Sequence, residues 1–424
     1  MARVGVLGSL RIPFCRANTA YAELSNLDML SSAIGALVGR YGLQGERIDE
    51  VIAGAVTTHS RDWNLAREAV LSTSLHPSTP AVTLQQACGT SLQAAFILGA
   101  KIAAGHVDVG VAAGVDTASD VPIVLSDRLS HRLLHLAGAR SLRDRATAFR
   151  GFSPKELLPV PPSPTEPRTG LSMGQHCELM AREWQISRAE QDAFAVASHR
   201  KALAALDDGF LDDLLVPCEG ATRDNVPRRD TSEASLATLK PAFGGGPDAT
   251  LTAGNSTPLT DGAAAVLIAS EEWAQQRSLP VQAWLTASRT AAVDFVGGEG
   301  LLMAPALAVS ELLSRTDSTL QDFDVYEIHE AFAAQVLCTL KVWESSGYCI
   351  ERLGRNEALG AIDPEKINTR GGSLAYGHPF AATGARLIGT LAKTLQTTEA
   401  KRGLISVCTA GGMGLAAVLE SDAG

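Results

Sequence analysis

Four short stretches carry groups able to attack a carbonyl or move a proton. They are Ala87-Cys88-Gly89, His329-Glu330-Ala331-Phe332, Gly377-His378-Pro379 and Cys408-Thr409-Ala410-Gly411-Gly412. Cys88 stands before the run 91–104, which is apolar or small around nearly its whole circumference, the pattern of a buried helix. The thiol is expected in the first turn of that helix. Unpaired backbone N–H groups and the positive end of the macrodipole there favour thiolate and lower the pKa from its ordinary value of about 8.5. A lone cysteine in such surroundings is ordinarily a small core hydrophobe. What gives Cys88 a claim to nucleophilic chemistry is a second helix start, because His378 precedes another small-residue helix, 381–395, and a second thiol, Cys408, closes a strand before Gly411-Gly412. Imidazole is the usual activator of a thiol near neutral pH, and a thiol is itself a tunable acid or base.

The elements that must position these groups follow from hydrophobic patterning. Residues 4–7, 51–56, 81–84 and 107–115 read as strands, and 26–41, 64–71 and the Cys88 helix lie between them. Such alternation predicts an α/β sheet with parallel strands and helices on its faces. From about residue 120 to 246 the character changes, with Pro159, Pro161, Pro162, Pro164 and Pro167 among many arginines, and this segment reads as an insertion. Within it, Leu125, Leu129, Leu133 and Leu136 form the apolar stripe of a basic amphipathic helix, expected to lie solvated over the body of the protein. Order returns at 251–270, and the last third alternates again, with strands at 324–328 and 404–408 and helices at 331–340 and 381–395. The Cys88 helix running to one glycine-bearing strand, and the His378 helix running to another, make a weak internal repeat. Two such halves packed face to face would let both helix starts face one pocket.

At 424 residues the chain has room for two or three domain-sized units, and 46% hydrophobic content supports full cores. A formal charge of −10 argues against a nucleic-acid partner. Seven cysteines without a CxxC pair fit a reducing compartment and neither a disulfide framework nor a zinc site, so no metal is expected. With no signal-peptide pattern and no apolar run long enough to span a bilayer, a cytoplasmic location without membrane contact is expected.

In their order and separations the four stretches resemble the thiolase family, the acyl-CoA C-acetyltransferases. The resemblance runs over nearly the whole chain, including residues 254–264 and Ser172-Met173-Gly174. The His-Glu-Ala-Phe form is the less common one, since many members have Asn first, and it is typical of bacterial fatty-acid oxidation thiolases and trifunctional-complex β subunits. The resemblance implies an α/β thiolase fold: two similar mixed-sheet halves packed as a five-layered αβαβα core, with an inserted loop domain. Residues 1–120 with a return segment at about 247–272 would form the N-terminal half. Residues 121–246 would form the inserted domain that covers coenzyme A, and 273–424 the C-terminal half.

The implied activity is CoA-dependent acyl transfer through an acyl-cysteine: thiolytic cleavage of 3-ketoacyl-CoA in β-oxidation or, as the alternative, condensation of two acetyl-CoA. A non-catalytic acyl-CoA binding subunit is the rival of another class. By resemblance Cys88 is the nucleophile, His378 its base, and Cys408 the acid/base at the acetyl-CoA carbanion. Backbone N–H groups of Cys88 and Ala410 would hold one oxyanion, and His329 with His378 the other. Ala410 stands where the family usually has Gly. Glu330 is expected to anchor neighbouring backbone, while Cys15, Cys177, Cys218, Cys338 and Cys349 match no family motif. Met173 would line the pantetheine tunnel, Thr257 with Ser256 would meet the pantetheine amide, and Arg228 or its neighbour Arg229 the nucleotide. No permanently bound cofactor is implied, coenzyme A and acyl-CoA being substrates. A homodimer or homotetramer is implied, with a multifunctional β-oxidation α subunit as a further possible partner.

Overall fold

The computed structural model describes residues 2–246 and 248–422. It opens with β1 (Val4–Arg11), buried along its whole length, and the two-residue β2 (Cys15–Arg16). Helix α1 (Asn26–Arg40) starts at a capping box, in which the Ser25 hydroxyl accepts from the Asp28 N–H and the Asp28 carboxylate accepts from the Ser25 N–H. Strand β3 (Glu50–Gly54), helix α2 (Leu65–Leu71) capped by Asn64, strand β4 (Ala81–Thr83), helix α3 (Thr90–Ala103) and strand β5 (Val109–Asp116) follow.

Between β5 and the next strand of the sheet the chain forms α4 (Asp127–Gly138), α5 (Leu142–Ala148), α6 (Met173–Glu183), α7 (Arg188–Asp207) and α8 (Glu233–Ala237). In the basic amphipathic helix α4 only Leu129 is buried, and Leu133 and Leu134 face solvent. Strand β6 (Thr260–Ser270) then runs eleven buried residues into the short α9 (Glu271–Gln276).

The second half comprises β7 (Ala283–Ala292), α10 (Ala304–Thr316), β8 (Val325–Ile328), α11 (Ala333–Glu344), α12 (Ser346–Glu351), α13 (Ser373–Tyr376), α14 (Thr383–Thr397), β9 (Arg402–Thr409) and β10 (Met413–Glu420). Strands β7 and β10 and helices α7 and α10 stand where the sequence pattern predicts no element. In β7 buried and part-exposed positions mix with polar residues, so no apolar run marks it.

The sheet has the order β4-β3-β5-β6-β1-β7-β10-β9-β8. Its first five strands repeat in its last four. The pair β3/β5 is parallel, as is β8/β9, whereas β5/β6, β6/β1, β9/β10 and β10/β7 are antiparallel. Even the parallel neighbour β4 of β3 has a counterpart in the single parallel bridge Tyr326↔Ile367 beside β8. The sheet is therefore mixed, not the parallel one that alternation alone predicts. Chain returning from the insertion as β6 lies antiparallel between β5 and β1.

Alternate strand residues divide the core into three bodies, which define five layers. Val51, Ala53, Val111, Ala113, Ala265 and Leu267 pack on α1 and α2. The opposite face of the same strands, with Ile52, Ala112, Val266 and Ile268, packs on α3 and α14. That middle layer also receives Ile405, Val407, Leu415 and Ala417 from the second half, whose outer face carries α10 and α11. The two halves of the sheet join through Gly5↔Trp284 and Val6↔Ala283 and enclose the α3–α14 layer.

Candidate active site

Cys88 sits on a sharp turn between β4 and α3. Ala87 adopts φ 46°, in the left-handed region that side chains with a Cβ rarely enter. Thr90 braces the turn by donating to the Ala87 carbonyl at 2.7 Å and accepting from the Gln86 N–H at 2.9 Å. Helix α3 begins at Thr90 with Gly89 as its N-cap, so Cys88 lies just before the cap and outside the helix, not in its first turn as expected. The expected lowering of its pKa is also overturned. Burial pushes the Cys88 thiol up to about 12, against the N–H groups of Ala410 and of Cys88 itself, which pull it down. Desolvation outweighs the helix end.

His378 occupies the equivalent place before α14. Gly377 takes φ 92°, and the His378 N–H donates to Thr260 Oγ1 at 2.8 Å. A single 3-10 turn, Phe380–Ala382, separates the histidine from α14, which begins at Thr383 instead of the expected Ala381. His378 Nδ1 lies 2.5 Å from Thr383 Oγ1. His329 follows β8, its N–H donating to the Ser406 carbonyl at 2.8 Å and its Nδ1 lying 2.9 Å from Ser373 Oγ. The two imidazole rings are 4.1 Å apart, centre to centre. One ring nitrogen of each and the Cys88 sulfur all fall within 4.8 Å of one another. Burial, and then Arg386, pulls His378 down to about 3, while burial, His378 and Arg386 hold His329 well below its ordinary value. Both rings are neutral at physiological pH.

Cys408, near the end of β9, is buried, and burial followed by the adjoining Cys88 raises its pKa well above the ordinary thiol value. The N–H groups of Cys408 itself and of Ala331 oppose this shift. In the turn after β9 the positive φ falls on Gly411 (77°) and Gly412 (70°), so Ala410 stays outside the left-handed region with its N–H toward Cys88. The methyl group in place of the family's usual glycine leaves the donor usable. Cys88 and Ala410 line a cavity of ≈ 710 Å³, whose walls include Met173, Leu259, Phe380 and the proline-rich stretch 161–167. Glu166 from that stretch accepts from the Gly411 N–H at 2.9 Å and ties the inserted segment to the Cys408 turn.

The remaining expected residues lie further out. The Thr257 hydroxyl donates to the Ala331 carbonyl at 3.1 Å, and Ser256 bridges Phe332, so both brace the His329 loop. Arg228 is exposed, is not among the cavity-lining residues, and gives its backbone N–H to His199 Nδ1 at 3.3 Å. Arg229 is paired with Asp207. Glu330 accepts from Ser198 Oγ, Asn368 Nδ2 and the Leu374 N–H, which makes it an anchor for three segments. The five cysteines outside the motifs are all buried.

Residues the sequence did not mark complete the site. Asp116 accepts from the N–H groups of Val56 (2.9 Å), Thr57 (2.8 Å) and Ala381 (2.8 Å), joining the loop after β3 to the turn after His378. Ser373 and Thr383 orient the two imidazoles, and no spacing rule links either to its partner. The Asp at the end of a glycine-bearing strand was the one available signal.

A duplicated α/β sheet closed around a thiol, two imidazoles and a second thiol is an architecture for acyl transfer through cysteine. Residues 4–272 match the thiolase N-terminal domain and 279–421 the thiolase C-terminal domain, so the chain belongs to the thiolase family of acyltransferases. It is 40% identical to the 3-ketoacyl-CoA thiolase of Shewanella baltica (strain OS185), covering 99% of this chain and 97% of that relative. With the 3-ketoacyl-CoA thiolase of Shewanella pealeana identity is 41% over the same shares. The crystal structure of the Bacillus anthracis acetyl-CoA acetyltransferase is similar with a TM-score of 0.82 at 30% identity, over 99% of both chains.

Proposed function

We propose that this chain cleaves 3-ketoacyl-CoA with coenzyme A to acetyl-CoA and a shortened acyl-CoA, as in fatty-acid β-oxidation. The observation that carries the reading is the cluster of Cys88, His329 and His378 within 4.8 Å beside an apolar cavity. His378 takes the Cys88 proton as the sulfur attacks the 3-keto carbon. The N–H groups of Cys88 and Ala410 hold the oxyanion. As the bond between C2 and C3 breaks, the electron pair passes to C2 of the departing acetyl-CoA, where His329 and His378 stabilise the enolate oxygen and Cys408 delivers a proton. The thiol of a second coenzyme A then loses its proton to the site, attacks the acyl-Cys88 carbonyl and frees the sulfur. Met173 lines the path of the pantetheine arm. Thr257 and Ser256 act there through the His329 loop, and Arg228 meets the nucleotide from the surface.

Condensation of two acetyl-CoA is the same chemistry reversed, and the likeness to an acetyl-CoA acetyltransferase favours it as the second reading. A purely acyl-CoA-binding role is disfavoured by the complete set of two thiols and two imidazoles. The reading divides the chain into halves 1–120 with 247–272 and 273–424, and an inserted domain 121–246 over the substrate. It places a homodimer or homotetramer in the cytoplasm, with coenzyme A as substrate and no resident cofactor or metal. The exposed Leu133 and Leu134 of α4 support this face as the place for a multifunctional β-oxidation α subunit. Among the described residues no helix is long and apolar enough to cross a membrane.

Incubation with acetoacetyl-CoA followed by intact mass measurement tests the reading. An acyl adduct present in the parent and absent in Cys88→Ser is expected. No adduct and no CoA-dependent cleavage would overturn it.

A further inference from the structure

We infer that Arg386 and Ser373 fix the tautomer of His329, making this ring a permanent hydrogen-bond donor to the substrate and not a second base. The inference rests on the catalytic reading proposed above. Arg386, on α14, is 3% exposed, and its Nη2 donates to Ser373 Oγ at 2.7 Å. A guanidinium has no acceptor, so the serine oxygen must accept in this contact. The other neighbour of Ser373 Oγ is His329 Nδ1 at 2.9 Å, and among the described residues the hydroxyl has no third partner. Because Ser373 is fully buried, its own proton is satisfied only by Nδ1. With Nδ1 accepting, the proton of the neutral imidazole sits on Nε2. That nitrogen is buried and has no partner among the described residues, on a ring tilted against His378 in the cluster that includes Cys88.

His378 is under no such constraint. Its Nδ1 faces Thr383 Oγ1, a hydroxyl that can accept as well as donate. The base role proposed above requires Nδ1–H to be given to Thr383, which leaves Nε2 bare to take a proton. The buried cation therefore fixes one of two chemically identical side chains as a donor, and no such cation constrains the other. Glu327 is fully buried 3.9 Å from Arg386, and burial raises its carboxyl to about 8 although the guanidinium pulls it down.

Nitrogen-15 labelling of the histidines with long-range proton–nitrogen correlation reads the tautomer directly, near neutral pH and without substrate. The resonance missing in His329→Asn is expected to have the Nε2–H pattern, and an Nδ1–H pattern would overturn the inference. Kinetics give a second reading. Ser373→Ala is expected to lower kcat roughly tenfold with little change in KM, short of the ~10²–10³ that follows complete loss of an oxyanion donor. In a His329→Asn background the same change should cost little, because an amide N–H has no tautomer to set. Equal losses in both backgrounds would make Ser373 merely structural and sink the proposal. Intact mass on the same samples separates the two levels: an adduct with an Nδ1–H tautomer overturns this inference alone. Absence of an adduct overturns the catalytic reading and leaves an Nε2–H assignment standing.

Discussion

Cys88 and His378 occupy equivalent turns in the two halves, yet the turns are built from different residues. Each reactive side chain follows a left-handed residue, Ala87 at φ 46° and Gly377 at φ 92°. At 377 only glycine fits, because a Cβ would lie 2.5 Å from Thr260 Cγ2. At 87 a methyl group is accommodated and the turn holds some backbone strain. The helices that follow cross closely, since a Cβ on Gly384 would meet the Leu92 backbone nitrogen at 2.4 Å. Ser91 stitches them by donating to the Ala381 carbonyl at 2.5 Å and accepting from the Ala385 N–H at 2.8 Å. The two halves thus bring two similar helix starts together, one carrying the Cys88 thiol and the other the His378 imidazole. Burial acts on them in opposite directions, raising the thiol and lowering the imidazole. Both are neutral at rest, so the proton is expected to move when substrate binds.

The sharpest test of this division is to remove one reactive group at a time. Cys88→Ser is expected to abolish the adduct and slow thiolysis by roughly 10³-fold or more. His378→Ala should slow acylation by about 10²–10⁴, because it removes the general base. Cys408→Ser should still acylate at Cys88 but turn over ~10²–10³-fold more slowly, as its proton is needed only at the departing carbanion. Stopped-flow acylation and steady-state thiolysis on the three variants check this. Equal loss of acylation in Cys408→Ser and Cys88→Ser would erase the distinction between the thiols.

Much of this arrangement is legible in residue types. Cys88, His329, His378 and Cys408 stand in motifs, and the small and apolar residues of α3 and α14 mark both as buried helices. The antiparallel return of β6 is not legible, because the strand that closes the first half arrives after more than a hundred residues of insertion. Nor is the environment of the sulfur. A helix start suggests a lowered thiol pKa, but only the packed site reveals that Cys88 is outside the helix and desolvated. Arg228 is a different case: it is exposed, and a guanidinium in a matching stretch carries no information about whether a pocket reaches it. Ser373 and Asp116 act through contacts from remote segments that no local pattern encodes, and Thr383, though close in the chain to His378, follows no motif.

The neutral resting pair has its own pH signature. Because burial raises the Cys88 thiol to about 12, thiolate gains on protonated sulfur through and beyond the ordinary thiol range. Alkylation of Cys88 by iodoacetamide is therefore expected to accelerate about tenfold per pH unit from near neutrality to beyond pH ~9, without a plateau. Near neutral pH His378→Ala should be alkylated more slowly than the parent. A plateau below pH ~8 would reveal a standing thiolate–imidazolium pair and break the contrast with His378.

The smallest effects separate the two turns themselves. Gly377→Ala is expected to destabilise the protein by about 1–3 kcal/mol, because the new methyl must displace Thr260, which also holds the His378 N–H. Ala87→Gly removes a left-handed Cβ but gives the unfolded chain more freedom, and the two terms offset each other to within about 1 kcal/mol. Denaturant unfolding compares the variants. If Ala87→Gly costs as much as Gly377→Ala, the Ala87 methyl is packed into the site and the first turn is held by contacts. If it costs nothing while acylation slows, the strain at Ala87 is what aims the sulfur, and the two turns position their side chains by different physical means.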